Sequence, residues 1–79
     1  MRVSIYSIQQ TLYEGEAEKV ICRTSLGQMT VLDRHIPLVS SLTGPSIEVV
    51  KRDRGREKID MRSGFIEVRP ESEVVILIN

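Results

Sequence analysis

The amino-acid sequence predicts an all-β fold, a β-sandwich of two packed sheets with roughly eight to ten short strands. No window of the chain keeps a 3.6-residue apolar period for the three turns typical of a helix. Turn-forming residues instead recur about every 8 to 12 residues, a spacing that is typical of sandwiches and barrels. The 79 residues supply enough material for one hydrophobic core, so we expect a single domain over 1–79.

The overall composition is that of a soluble globular domain, with 41% hydrophobic and 28% charged residues. Eleven Lys and Arg balance eleven Asp and Glu, so the chain has no global field to attract nucleic acid or anionic lipid. A single cysteine excludes an intrachain disulfide, and no apolar stretch approaches the ~20 residues that span a bilayer. We therefore expect a protein of a reducing compartment, without direct membrane insertion.

The first half of the chain predicts four short strands. Alternating β-branched and aromatic residues in Arg2–Ile8 predict the first strand, and Thr11–Thr24 predicts two more around a bend at Glu14-Gly15. Gly27 introduces the fourth strand, which is expected to end at Asp33-Arg34.

The second half of the chain predicts strands separated by strong turn signals. Thr43–Ser46 contains Gly44-Pro45 and predicts a turn at which two strands meet, because Gly permits positive φ and Pro fixes its own. Apolar and polar residues alternate on both sides of Lys51–Lys58, which predicts a hairpin with an exposed charged tip. The apolar run Val74–Ile78 predicts a last strand that is buried on both sides, in the centre of a sheet or between two layers.

The candidate catalytic residues are Cys22, Asp33 and His35, which is the only histidine. A cysteine within a strand pattern is far more often a buried packing residue than an activated thiolate. A zinc site at His35 would need two or three ligands from Asp or Glu, since there is no second histidine, and such sites are uncommon. Since Pro37 cannot donate to a strand ladder, His35 is expected on a turn or strand edge. It either satisfies nearby backbone groups or contacts a partner, and residue types alone leave these two interpretations open.

The predicted hairpin segment Lys51–Lys58 carries five basic and two acidic residues, a local charge of +3. It contains no aromatic residue on which a base could stack, so a solvated tip is the plain interpretation. The alternative function is that of a small β-barrel that binds nucleic acid through this hairpin. The scattered glycines form neither a GxGxxG nor a GxxxxGK[ST] loop, and no cofactor is expected.

Three segments, taken in order, resemble one known family. They are LYEGEAEKV (12–20), VLDRHIPLVSSL (31–42) and SGFIEVRPESEVVILIN (63–79), and they are similar to the N-terminal β-sandwich domain of the ε subunit of F-type ATP synthases. The resemblance covers essentially the whole chain.

Some residues of the chain match the family pattern, and others differ from it. Glu18-Lys19-Val20, His35 and Ser63-Gly64 fall in register with the family pattern. Gln28, however, stands where the family carries a carboxylate, and Asp33-Arg34 replaces the Pro-Gly that precedes the family histidine. Because Gln28 is uncharged, the charge-assisted bond that the family carboxylate would make to a basic partner is expected to be weaker here.

The resemblance implies a non-catalytic rotor subunit of the central stalk. Such a subunit binds the γ subunit through one face of the sandwich and the c ring through one end, and it helps to couple ion translocation to ATP synthesis. It would lie peripherally on the cytoplasmic side of the energy-transducing membrane, with neither a nucleic-acid partner nor a small-molecule substrate. The inhibitory C-terminal helical hairpin of the family is expected to be absent, because the sequence ends at Asn79.

By position, the resemblance also assigns the residues of the ring-facing end. They are Ser7, Gln28, Asp33, Arg34, His35, Ile36 and Ser40. For the γ-facing surface the sequence supports only the expectation that apolar residues left on the outer face of a sheet belong to it.

Overall fold

The computed structural model describes all 79 residues, which form eight β-strands and no helix. The strands are β1 (Arg2–Tyr6), β2 (Thr11–Glu16), β3 (Lys19–Thr24), β4 (Gly27–Leu32), β5 (Leu38–Val50), β6 (Arg56–Asp60), β7 (Ser63–Arg69) and β8 (Glu73–Ile78). The predicted all-β class is confirmed, and the strand count lies within the predicted range.

The strands pair in the order β2-β1-β8-β7-β5-β3-β4, with β6 added to β5. Every pair is antiparallel except β1 and β8, which run parallel. Strand β5 is shared between two layers, because Leu38–Thr43 pairs with β7 whereas Ser46–Val50 pairs with β6. The first sheet therefore contains β2, β1, β8, β7 and the start of β5, and the second contains β6, the end of β5, β3 and β4.

The bend of β5 corrects one prediction. The chain does not reverse at Thr43–Ser46, as predicted, but continues as one strand and passes from the first sheet to the second. Gly44 is required at the bend because a Cβ there would collide with the Met61 carbonyl. Pro45, joined to Gly44 by a cis peptide, keeps its own carbonyl available to the Met61 N–H at 2.9 Å. Gly and Pro therefore mark a bend within a strand here, which is one of their known uses in sheets.

One hydrophobic core lies between the two sheets. Alternate residues of the facing strands point into it, as the two-residue period of a strand requires. The sixteen buried members of the cluster include Val3, Ile5, Ile66 and Ile76 from the first sheet and Val20, Val31, Ile47 and Val49 from the second.

Two further strand boundaries differ from the prediction. Strand β1 ends at Tyr6, and Ile8, which was predicted to continue it, is 94% exposed in a turn closed by the Ser7 N–H and the Gln10 carbonyl (2.9 Å). Strand β2 passes straight through the predicted bend at Glu14-Gly15, and the chain leaves the first sheet for the second at Ala17-Glu18. Composition favours a turn at Gly15, but the ladder with β1 keeps the chain extended.

Strand β8 confirms one half of its prediction and corrects the other. It lies in the centre of the first sheet, between β1 and β7. Val74, Ile76 and Ile78 are buried in the core, but Val75 on the opposite face is only half-buried and Leu77 is 54% exposed. Burial on both sides is thus wrong for the chain alone, because no second layer covers the outer face of this sheet.

Candidate partner-binding surfaces

The outer face of the first sheet carries a contiguous apolar surface. Its members come from the three adjacent strands β5, β7 and β8 and are Val39, Phe65, Val75 and Leu77, which together are called the apolar outer face below. Val39 is 73% exposed, Phe65 is 60% exposed and Leu77 is 54% exposed. Phe65 is the only phenylalanine of the chain, and it lies on the surface rather than in the core.

Strand register brings these side chains together. Phe65 pairs with Leu77 on β8, and Leu77 pairs in turn with the half-buried Tyr6 on β1. Neighbouring strands lie about 4.8 Å apart, so this row of side chains extends over roughly 10 Å. Val39 and Val75 occupy the next row, on either side of Glu67.

Two shallow grooves follow the apolar outer face. One, of about 190 Å³, is lined by Val39, Phe65, Ile66, Glu67, Val75 and Leu77. The other, of about 370 Å³, lies between Phe65, Leu77 and the exposed Ile8 of the β1–β2 turn. The apolar surface therefore offers depressions into which a partner's side chains fit.

One charged residue, Glu67, lies within this surface, between two of its valines. It bonds to Arg69 through Oε1 and Nε at 3.1 Å, and Arg69 also approaches Glu73 at 3.6 Å. On the β1–β2 side, Arg2 and Glu14 lie 3.8 Å apart at the edge of the surface. The charge inside the apolar outer face is thus paired within the chain, and the charges at its edge match the polar rim usual in protein–protein interfaces.

The turn Asp33–Ile36, which the sequence assigned to the ring-facing end, lies between β4 and β5 beside the start of β1. The Asp33 carboxylate is 3.3 Å from the Met1 ammonium, which also donates to the Ala17 carbonyl at 3.0 Å. The Ser72 hydroxyl first, and then the Met1 ammonium, holds the pKa of the Asp33 carboxyl below its usual value. Ile36 is 77% exposed at the tip of the turn.

His35 is half-buried within this turn. Its backbone N–H donates to the Leu32 carbonyl at 3.1 Å, and its Nδ1–H donates to the Ile36 carbonyl at 2.8 Å. One ring nitrogen thus satisfies a nearby backbone group, and Nε2 is left as the acceptor of the neutral ring. The interpretation that His35 satisfies a nearby backbone group is confirmed, and its contact with a partner stays a prediction.

The other residues assigned to the ring-facing end are spread over the sandwich. Ser7 follows β1, six residues after Met1, and so lies roughly 20 Å along the strand from Asp33. Gln28 is exposed near the start of β4, at the opposite end of that strand from Asp33. Ser40 is half-buried on β5, and its hydroxyl donates to the Ser41 carbonyl at 3.0 Å. Asp33, Arg34, His35 and Ile36 are neighbours in one turn, and the structure places Ser7 and Gln28 apart from them.

The basic hairpin has the exposed tip that the sequence predicted. The tip is closed by the Lys51 N–H and the Gly55 carbonyl at 2.8 Å, and Asp53 accepts from the Gly55 N–H at 2.8 Å. Arg56 already belongs to β6 and pairs with Glu48 at 3.1 Å, and Lys51 lies over the Tyr13 ring. Internal partners therefore occupy part of the hairpin's charge, and this structure adds nothing in favour of a phosphate partner.

Cys22 lies in the core, as the sequence predicted. Burial raises the pKa of its thiol to about 11, so the nucleophilic thiolate is not formed near neutral pH. Three or more His, Cys, Asp or Glu side chains do not come together anywhere in the fold as a possible metal site. The structure contains no helix that could span a lipid bilayer.

Sequence reasoning left the members of the apolar outer face unnamed. A usable signal was present, because the β8 run alternates inner Val74, Ile76 and Ile78 with equally apolar Val75 and Leu77. In a strand with one face in solvent the alternate positions are normally polar. An apolar residue at every position of a strand in a mostly antiparallel sheet therefore indicated a second surface to be covered.

Known ATP synthase ε chains are similar to this chain. The ATP synthase epsilon chain of Alkalihalophilus pseudofirmus is 32% identical over 76 residues, which cover 96% of this chain and 56% of that protein. The epsilon chain of Shouchella clausii is 37% identical over 71 residues, or 90% of this chain and 53% of that protein. The chain thus spans about half the length of these curated relatives.

Solved structures share the fold. A chain in the cryo-EM structure of the Euglena gracilis mitochondrial ATP synthase (OSCP, F1 and c-ring) matches with a TM-score of 0.90 and 21% identity, over 96% of this chain and 48% of that chain. A chain of the Tetrahymena thermophila central stalk and c-ring structure matches with a TM-score of 0.78 and 8% identity, over 98% and 61% of the two chains. The resemblance found in the sequence is confirmed: the family model for the β-sandwich domain of the ATP synthase delta/epsilon chain matches residues 1–79, and the chain belongs to that family.

Proposed function

We propose that this chain is an ε-type rotor subunit of an ATP synthase, which couples ion translocation through the c ring to ATP synthesis by joining the γ subunit to that ring. Membership in the delta/epsilon family and the names of the curated relatives support this assignment. The observation that carries it is the apolar outer face, because a sheet surface with an exposed Phe, Val and Leu is suited to permanent assembly.

The apolar outer face is the proposed contact with the γ subunit. Aromatic side chains are enriched in the centres of interfaces, and a few such residues contribute most of the binding free energy. Phe65 occupies the middle strand of the surface and contacts grooves on both sides. It is the proposed anchor, with Val39 and Leu77 as flanking contacts.

The turn Asp33–Ile36 is the proposed centre of the contact with the c ring. It presents an exposed apolar side chain, Ile36, next to the imidazole of His35. The positional assignments of Ser7, Gln28 and Ser40 remain predictions for the same contact. Because the structure spreads them over the sandwich, they would have to meet parts of the ring that lie apart from the Asp33–Ile36 contact.

The role is non-catalytic and needs neither a cofactor nor a small-molecule substrate. Buried Cys22 and the locally bonded His35 provide no nucleophile paired with a base, and this supports a binding role over an enzymatic one. The proposed location is peripheral, at the cytoplasmic side of the energy-transducing membrane, as part of the complex.

Co-purification tests this assignment. The chain is mixed with purified γ subunit and, separately, with detergent-solubilised c ring of its own ATP synthase, and the bound fraction is measured at physiological salt. We expect stoichiometric complexes, tighter with γ because the apolar outer face offers an exposed aromatic anchor. A chain that binds neither γ nor the ring would contradict the proposal.

A further inference from the structure

Two turns at one end of the sandwich are joined through a single hydroxyl group. The turn Asp33–Ile36 connects β4 to β5, and the turn formed by 70–72 connects β7 to β8. The Arg34 N–H donates to the Ser72 Oγ at 3.2 Å, although the two residues are 38 positions apart in the chain. The same hydroxyl lowers the pKa of the Asp33 carboxyl.

Ser72 is itself held firmly. Its carbonyl accepts from the Arg2 N–H at 2.9 Å, and this bond fixes the β7–β8 turn to the first residue of β1. The hydroxyl is thus presented from the sheet rather than from a free loop. A group anchored in this way can define the position of a neighbouring turn.

The turn at Arg34 needs such support. Arg34 has φ of 63°, a left-handed conformation that is disfavoured for residues with a Cβ, and no ordinary strand or helix bond holds its N–H. At Glu71 and Ser72 the φ values are 66° and 57°, so left-handed residues lie on both sides of the hydrogen bond. A glycine at 34 would adopt this backbone without strain, but an arginine needs compensating contacts.

We propose that Ser72 is a positioning residue for partner binding: its hydroxyl holds the left-handed turn at Arg34 so that His35 and Ile36 face the c ring. The inference rests on the proposed function for the identity of the partner and goes beyond it by adding a residue outside the contact. A turn that spends part of its time in other conformations binds more weakly in proportion to the fraction lost. Ser72 therefore contributes to affinity without touching the ring.

The test compares Ser72→Gly with Ser25→Gly in the whole chain. Ser72→Gly removes the hydroxyl but relieves the positive φ, so a loss is due to the hydrogen bonds and not to backbone strain. Ser25 is an exposed turn serine whose hydroxyl makes no hydrogen bond within the chain, and it receives the same substitution as the control. Three quantities are measured: exchange of the Arg34 amide, the Asp33 pKa by NMR, and affinity for solubilised c ring.

For Ser72→Gly we expect Arg34 amide exchange to rise on the order of fivefold and ring affinity to fall by a similar factor, with the Asp33 pKa moving up toward its usual value. Ser25→Gly should leave all three at wild-type values. Because Arg34→Gly itself removes a proposed ring contact, it is the reference for the double variant: adding Ser72→Gly to it should change ring affinity by no more than about twofold, since glycine at 34 adopts the left-handed conformation without strain. A role of Ser72 in general stability alone predicts the same loss in both backgrounds.

The outcomes separate the inference from the proposed function. If the wild-type chain binds the ring but Ser72→Gly changes neither Arg34 exchange nor the Asp33 pKa, the inference is overturned. If the wild-type chain does not bind the ring, the proposed ring contact is overturned, and so is the positioning role that depends on it. Should Ser72→Gly fail to fold, Ser72→Asn and Ser72→Ala are compared in its place. Asn tolerates positive φ and offers both an acceptor and a donor, so near-wild-type values are expected for Ser72→Asn. A loss in Ser72→Asn as large as that in a folded Ser72→Ala would contradict the inference.

Discussion

The two outer faces of the sandwich have opposite chemistry although both are free of other elements of the chain. On the first sheet, β5, β7 and β8 expose Val39, Phe65 and Leu77. On the second sheet, β3, β5 and β6 present charged residues at the corresponding outward positions, which include Arg23, Glu48 and Lys58. Folding alone requires only one apolar face per sheet, so the second apolar face of the first sheet is left for the proposed partner contact to cover.

The outer face of the second sheet is mostly polar, as is expected of a solvated surface. The row across β4, β3, β5 and β6 contains Thr30, Ile21, Glu48 and Lys58, and the single apolar member is half-buried by its neighbours. Leu32, 53% exposed at the end of β4, is the main exception. The difference between the faces therefore lies in contiguous apolar exposure on adjacent strands, on which the proposed contact rests, and not in exposure alone.

The largest expected effect separates the two faces of strand β7. Ile66 is fully buried and Phe65, its neighbour, is 60% exposed on the other face. We expect Ile66→Ala to lower the free energy of unfolding by about 2 to 5 kcal/mol through lost burial and a cavity. Phe65→Ala should lower it by less than about 1 kcal/mol. Urea denaturation of both variants measures the difference, and equal losses would contradict the assignment of Phe65 to an interface.

A second prediction concerns the inner face of the second sheet, through Cys22. The Cys22 thiol has a pKa of about 11 in the folded chain, whereas in the unfolded chain its pKa is near the usual 9.0. Above pH 9 the unfolded state therefore binds fewer protons than the folded one, and stability falls as pH rises toward 11. The expected loss, relative to Cys22→Ala, is about 2 to 3 kcal/mol across this interval. Identical pH dependence of the two proteins would show that the thiol is not buried as described.

The smallest effect is expected on the charged outer face. Arg56 and Glu48 pair at 3.1 Å, but Arg56 is more than half exposed, and exposed pairs contribute little. Glu48→Gln should therefore change the free energy of unfolding by no more than about 0.5 kcal/mol and leave γ binding unchanged. Thermal denaturation and the γ pull-down measure these two quantities. A loss of γ binding in this variant would put the γ contact on the second sheet and would contradict the proposal.

Much of the fold follows from local signals in the sequence. Alternation predicts β7 and β8, and the charged tip of the hairpin at Lys51–Gly55 lies where polar residues with a glycine predict it. The prediction at Gly44-Pro45 was wrong because both residues suit a turn and a bend equally, and only the pairing of β5 with two different sheets decides between them. The end of β1 depends similarly on the Ser7–Gln10 turn, which the apolar residue Ile8 does not predict.

The candidate site was less accessible from the sequence. The resemblance supplied the Asp33–Ile36 turn by position, and its contact with the ring stays a prediction. Ser72, which bonds to the Arg34 N–H, is 38 positions away from Arg34 in the chain. Their contact depends on two turns that meet in the fold, so no local sequence pattern predicts it. The apolar outer face depends likewise on cross-strand register, which places Val39, Phe65 and Leu77 from distant segments on one surface.

The most direct test of the central claim is the affinity of two charge-insertion variants for the γ subunit. Phe65→Glu places a carboxylate on the apolar outer face, and Thr30→Glu places the same group at an exposed position on the outer face of the second sheet. Isothermal titration calorimetry should show at least about a thirtyfold loss for Phe65→Glu, as for a central interface anchor, and a change within about twofold for Thr30→Glu. Wild-type affinity in Phe65→Glu, or a greater loss in Thr30→Glu, would contradict the account.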